Sequence, residues 1–155
     1  MAAVQEHSSE LDAAAAACAA RGARLTDLRR DVLRLVLEAG QPIGAYALLD
    51  RLKADRSGAA PPTVYRALDF LLEQGLIHKV ERLNAFIACT EHGHDHAPGH
   101  SHPHQFLICG RCGVTAEIAD PAVTEALAAA ARAQGFMATR ATVEIEGVCA
   151  TCAAG

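Results

Sequence analysis

Four cysteines stand in two pairs, Cys109/Cys112 and Cys149/Cys152, with two residues between the sulfurs of each pair. Thiolates at this spacing suit a soft divalent cation such as Zn²⁺, which takes four ligands tetrahedrally and leaves no open position in a structural site. One tight turn aims both sulfurs of a pair at one ion. The turn residues agree, since Gly110 and Gly113 flank the first pair and Gly147 precedes the second. With 36 residues between them, the pairs are farther apart than in a simple zinc ribbon, so a folded unit has to bring them together. The competing readings are two disulfides or a redox CxxC. The chain opens on a polar stretch, Met1 to Glu10, with no apolar signal segment. A cytoplasmic setting is therefore expected, in which six cysteines serve as thiols and metal ligands rather than as a disulfide frame. The spacing predicts a closed structural zinc site.

A second donor group mixes its chemistry. Six histidines, His92, His94, His96, His100, His102 and His104, crowd between Thr90 and His104. Such tracts bind metal by composition alone. Gly93, Pro98, Gly99 and Pro103 keep this one irregular, so most of the six read as a loose buffering loop. A specific site needs ligands on rigid elements. The candidates are His78 on one predicted hairpin strand, Cys89 at the end of the other, one loop histidine, and Glu117 after the first CxxC. A mixed sulfur, nitrogen and oxygen set of this kind suits Zn²⁺ better than iron.

The elements that position these groups can be read in order. Ser9–Ala20 is an alanine-rich helix ended by Arg21-Gly22. Thr26 offers an N-cap to a helix with the stripe Leu28, Val32, Leu35 and Val36, broken by Gly40, Pro42 and Gly44. A third helix, Ala45 to about Lys53, packs through Leu48, Leu49 and Leu52. The fourth, Pro62–Gln74, gathers Val64, Ala67, Leu68, Leu71 and Leu72 on one face and presents Thr63, Tyr65, Arg66 and Asp69 on the other, with Gly75 at C′. Leu76–Glu81 and Ala85–Cys89 then form a β-hairpin. Helices closed by a hairpin make a winged helix-turn-helix, in which the last helix enters the DNA major groove.

Beyond the histidines the pattern is β-β-α-β: Phe106–Cys109 and Gly113–Ile118, a helix from Pro121 to about Gln134 with Val123, Leu127, Ala130 and Ala131 on its inner face, and an alternating strand over Phe136–Glu146. So small a sheet is poorly buried alone, and a two-fold twin would supply the missing core. The fold class expected is α+β. Residues 1–89 form a winged helix DNA-binding domain, 90–104 a histidine-rich hinge, and 105–155 a dimerisation domain carrying the structural zinc site. A net charge of −4 speaks against nucleic acid until its distribution is seen. Up to Leu83, eleven Lys/Arg balance eleven Asp/Glu, and beyond it three face seven. Arg21, Arg24, Arg29, Arg30 and Arg34 cluster in the first half, where a solvated helix face is the ordinary alternative to DNA contact.

The segment PPTVYRALDFLLEQGLIHKVERLNAFIAC, Pro61 to Cys89, closely resembles the ferric uptake regulator family, and within it the branch of zinc uptake regulators. AYALLDRL (Ala45–Leu52) and the cysteine motifs FLICGRCG and GVCATC carry the resemblance from about Leu25 to Cys152. It implies a winged helix followed by a dimerisation domain, with metal at the hinge setting DNA-binding geometry. It also implies a regulatory zinc site made by His78, Cys89, a loop histidine and Glu117. By spacing to Cys109 that histidine is His102, with His100 or His104 as alternatives. Two zinc ions per protomer, double-stranded operator DNA and a homodimer follow as cofactor and partners, with no membrane and no small-molecule substrate beyond zinc. The implied function is zinc-responsive repression of zinc uptake genes. An iron or peroxide sensor of the same family is the nearest rival, and the Cys89 thiolate weighs against it. A zinc buffer would leave the winged helix idle. No nucleophile–base–oxyanion set is apparent, so an enzyme is not expected, and Cys18 reads as a packing residue in its helix.

Overall fold

The computed structural model describes residues 2–89 and 104–155. The chain divides into two compact units, Met1–Pro98 and Gly99–Gly155.

In the first unit, α1 (Ala2–Ala20) begins earlier than the Ser9 expected, because no helix breaker stands among the polar residues before it. Leu11, Ala14 and Cys18 form its buried stripe at helical spacing. Helix α2 (Asp27–Ala39) buries Val32, Leu33, Leu35 and Val36 and closes on Gly40 in the left-handed region, φ 61°. Thr26 stands at its N-cap, but the threonine side chain makes no capping hydrogen bond; its carbonyl accepts from Arg30 N–H at 2.8 Å. Helix α3 (Ala45–Asp55) buries Leu48, Leu49 and Leu52. Helix α4 (Pro61–Glu73) buries Val64, Ala67, Leu68 and Leu71, and both prolines lie in its first turn, where a missing N–H costs nothing. These four helices enclose one aliphatic core. Leu52 is fully buried within it, so Leu52→Ala is expected to cost about 2–5 kcal/mol through lost transfer energy and a residual cavity. A urea-unfolding midpoint within error of the wild type would remove Leu52 from the core.

The hairpin pairs β1 (Ile77–Val80) with β2 (Ala85–Ala88) in antiparallel register, Ile77 opposite Ala88 and Val80 opposite Ala85. A 3₁₀ turn, Glu81–Leu83, and Asn84 at φ 45° connect them. Asparagine tolerates this left-handed backbone better than most residues. One pairing was not foreseen. Ile43 and Phe86 exchange two backbone hydrogen bonds of 2.9 Å, so a single residue before α3 acts as a third strand. That bridge fastens the hairpin to the α2–α3 turn. The first unit is a winged helix.

The second unit holds a sheet in the order β4-β3-β5. Strand β3 (His104–Cys109) pairs antiparallel with β4 (Thr115–Ile118) and parallel with β5 (Thr142–Gly147). Helix α5 (Pro121–Ala133) makes the crossover, and its N-cap Asp120 accepts from Ala122 N–H at 2.9 Å. Two expectations change here. The last strand is confined to Thr142–Gly147, while Phe136 and Met137, expected within it, lie outside any element and are exposed. The inner row of α5 is Val123, Thr124, Ala128 and Ala131, leaving Leu127 and Ala130 exposed. Thr124 on that row accepts from buried Gln105 of β3 at 3.4 Å, so the row faces the sheet. A short helix, α6 (Ala150–Ala154), follows β5.

Candidate metal centres and nucleic-acid face

The four cysteines of the two CxxC pairs converge, with every sulfur within 4.8 Å of the others. Strand β3 ends at Cys109, and its parallel register places Gly147 beside it, two residues before Cys149. The first turn is closed by Gly113 N–H donating to Cys109 O at 2.9 Å, with Gly113 at φ +77°. Gly110 N–H donates to Gly147 O at 2.9 Å and joins the two cysteine turns through backbone. A Cβ at Gly110 would approach Glu146 Oε1 to 3.1 Å. Arg111 Nη1 donates to Cys152 O at 2.8 Å, a second tie that the spacing of the cysteines did not reveal.

The donor set fits zinc. Zn–S bonds of about 2.3 Å place the sulfurs of a tetrahedron about 3.8 Å apart, and Cys112 Sγ lies 3.7 Å from Cys149 Sγ. Backbone N–H groups also point at the sulfurs: Cys149 N–H reaches Cys109 Sγ and Cys152 N–H reaches Cys149 Sγ, each at 3.4 Å. The Cys149 N–H, helped by those of Cys112 and Arg111, lowers the Cys109 thiol to about 6. Hydrogen bonds with Cys149 and Cys112 push Cys152 up to about 12. The two shifts run in opposite directions because backbone N–H groups favour the charged form of Cys109, while hydrogen bonding with neighbouring sulfurs favours the protonated form of Cys152.

The candidates for the mixed group are spread over the two units. In the first, the hairpin ladder runs on past β1, since Cys89 N–H donates to Leu76 O at 3.1 Å. Cys89 therefore lies diagonal to His78 on one face of the hairpin, and a ring nitrogen of His78 comes within 4.8 Å of Cys89 Sγ. His78 is buried and Cys89 half-buried. In the second unit, Glu117 lies half-buried on β4, opposite Phe106. His100 and His102 lie outside the described residues, and the backbone of His104 opens β3. Cys18 is fully buried in α1, and burial pushes its thiol up, with Arg21 and Arg29 opposing that shift. Its sulfur is a packing group.

Thr63, Tyr65 and Arg66 lie in the N-terminal half of α4, on the side away from the core row; Tyr65 and Arg66 are exposed. The arginine cluster has mostly another use. Arg21 donates to Gln74 O at 2.9 Å, Arg30 to Asp12 at 2.6 Å, and Arg34 to Glu38 and Asp55. Arg29 donates to Arg24 O and stacks 3.7 Å from the Phe70 ring centroid. These arginines bind helices to one another, so their clustering in sequence records packing.

A winged helix, followed by a β-β-α-β unit whose four cysteines converge in an arrangement that fits a metal ion, defines a narrow class of protein. The chain belongs to the ferric uptake regulator family, which residues 20–146 match. It is 43% identical over 135 residues to the zinc uptake regulation protein of Escherichia coli, covering 87% of this chain and 76% of that protein. It is also similar to a zinc uptake regulator solved in complex with zinc and DNA, at 39% identity and a TM-score of 0.86, covering 96% of this chain and 95% of that one. The crystal structure of holo XcZur matches at 47% identity and a TM-score of 0.83, covering 95% and 99%. Among the described residues, no helix is long and apolar enough to cross a membrane.

Proposed function

We propose that this protein is a zinc-responsive transcriptional repressor that binds operator DNA as a homodimer and controls zinc uptake genes. The observation that carries this reading is the combination of a four-sulfur centre with a winged helix similar over 96% of the chain to a regulator solved with zinc and DNA. The protein works in the cytoplasm and performs no catalysis. Each protomer takes two zinc ions. Cys109, Cys112, Cys149 and Cys152 hold the structural one, and His78, Cys89, His102 and Glu117 hold the regulatory one. Zinc bound at either place supplies positive charge and directed bonds to soft and borderline donors. His78 and Cys89 bring the hairpin to the regulatory ion, and Glu117 brings the second unit. Ligands from both units restrict how the two sit, so the paired α4 helices match successive major grooves.

In this arrangement Tyr65 and Arg66 reach the duplex and Thr63 supports them at the start of α4. Arg66→Ala is expected to weaken operator binding by about 1–3 kcal/mol, with zinc content and dimerisation unchanged. Loss confined to one base position marks a base contact, and a uniform loss with a salt slope reduced by about one marks a phosphate contact. The test of the whole reading is titration of the protein against its own upstream promoter DNA at buffered free zinc. Zinc-dependent binding supports it. A zinc-loaded dimer that ignores this DNA and any other zinc-import promoter refutes it.

A further inference from the structure

Gln105 is 1% exposed, one of the few polar side chains buried among the described residues. It is the second residue of β3, directly after His104, and lies opposite Ile118 in the antiparallel ladder, next to the Phe106–Glu117 pair. Its amide uses both ends on the same short segment. Nε2 donates to Asp120 O at 3.0 Å, and Oε1 accepts from Asp120 N–H at 3.4 Å. The same Nε2 reaches Thr124 Oγ1 at 3.4 Å, and Thr124 Oγ1 itself donates to Asp120 O at 3.3 Å. Asp120 is also the N-cap of α5. One buried amide thus fastens β3 to the β4–α5 junction, three residues beyond Glu117.

A four-residue edge strand is a weak support for a metal ligand. Among the described residues of one protomer, β3 is the strand that pairs with β4. Beyond Ile118 the ladder ends, and the Gln105 amide continues it. A buried amide with both of its ends satisfied has one orientation, since turning it would set donor against donor. We infer that Gln105 is a positioning residue for the regulatory zinc site: it fixes the end of β4 so that the Glu117 carboxylate is presented to the ion in one direction. The inference rests on the proposed role of Glu117 as a ligand. Gln105 does not touch the ion itself. It acts at one remove, through the backbone of the β4–α5 junction, and loss of a direct outer-shell partner, which ordinarily lowers metal affinity about 10- to 100-fold, sets the scale.

The experiment uses the full chain with the four-thiolate site loaded, and measures the second zinc by competition with a chelator of known affinity. Gln105→Leu keeps the side chain's approximate volume and burial while removing all three of its hydrogen bonds. It is expected to lower second-site affinity about 10- to 100-fold while the tightly held zinc and the dimer remain. Cobalt(II) loaded at the second site should show a weakened d–d band, as an opened ligand set gives way to water. The variant Gln105→Glu, which keeps length and an acceptor but loses the donor to Asp120 O, should move in the same direction, and decides the matter if Gln105→Leu does not fold. In the Glu117→Ala background, Gln105→Leu should add no further loss, since its effect passes through Glu117. A lowered melting temperature with a wild-type second-site midpoint would overturn the inference, and so would additive losses in the double variant. If Glu117→Ala alone leaves the midpoint unchanged, it is the reading of Glu117 that fails, and the inference falls with it.

Discussion

Cys149→Ser is expected to leave the protein without tightly held zinc and with the second unit unfolded. The magnitudes decide this. A structural zinc site contributes an apparent binding energy of about 10–16 kcal/mol at neutral pH, whereas a whole domain is stable by about 5–15 kcal/mol. The second unit has little else to draw on. Its buried described residues are few, Gln105, Phe106, Ile108, Cys109 and Thr115, all on β3 and the start of β4, and α5 has no fully buried residue. Serine keeps the size of Cys149 but replaces a soft sulfur donor with a hard hydroxyl oxygen that binds zinc poorly. It also removes the sulfur that accepts from Cys152 N–H and lies 3.7 Å from Cys112 Sγ. Elemental analysis should find less than one retained zinc per protomer, and sedimentation should show loss of the dimer. A folded, dimeric Cys149→Ser protein with its zinc content intact would refute the structural assignment.

The second large effect belongs to Cys89. Cys89→Ser should keep the fold, the dimer and about one zinc per protomer, because the four-cysteine centre does not include it. Zinc-dependent DNA binding should collapse toward that of wild-type protein stripped of its weaker zinc. If filling the regulatory site changes DNA affinity about 30- to 1,000-fold, the coupling at stake is about 2–4 kcal/mol. A ligand biases two arrangements only by its different affinity for them. The Cys89 thiolate, fixed on the hairpin diagonal to buried His78, supplies the strongest donor of the proposed set. Glu117→Ala should act in the same direction and less severely, since water can take its place. His102→Ala should be milder still, because neighbouring histidines can substitute. Operator titrations at buffered free zinc separate these outcomes. A wild-type midpoint and amplitude in Cys89→Ser would move the sensing site elsewhere, first to the histidine tract.

Much of this was legible in the residues, for identifiable reasons. The apolar rows of α2 and α4 repeat at the helical period: Val32, Leu35, Val36, Val64, Ala67, Leu68 and Leu71 are buried as read, Leu28 and Leu72 are half-buried, Leu33 is buried without having been read so, and glycines mark where both helices end. Two CxxC pairs on flanking turns carry their meaning in spacing alone, and the sulfurs converge. What escaped were arrangements made by polar contacts between distant segments. Nothing in the neighbourhood of Ile43 announces that it will bridge to Phe86, because an isolated bridge needs only one suitably extended residue. The inner face of α5 includes Thr124, a polar residue that meets Gln105 across nineteen positions of chain. The alternation read over Phe136–Glu146 was right for its second half, where β5 pairs with β3, and wrong for its first, since the strand begins at Thr142. The arginine cluster left two readings open, since charge density does not reveal which guanidinium groups are engaged within the fold.

The parallel pairing of β3 with β5 bears on how fast the molecule becomes itself. Every β3–β5 contact joins residues 38 positions apart, whereas β3 and β4 meet across one short turn. Closing the longer loop costs entropy before any contact offsets it, and such non-local steps slow folding. Sulfurs from both ends of that loop that capture a common ion hold it shut while β5 finds its register. Newly made chains should therefore mature quickly where zinc is plentiful and linger open where it is scarce, exposed to proteases. The supply of working regulator would itself follow the metal, on the slow timescale of synthesis, beneath the rapid response of the sensing site.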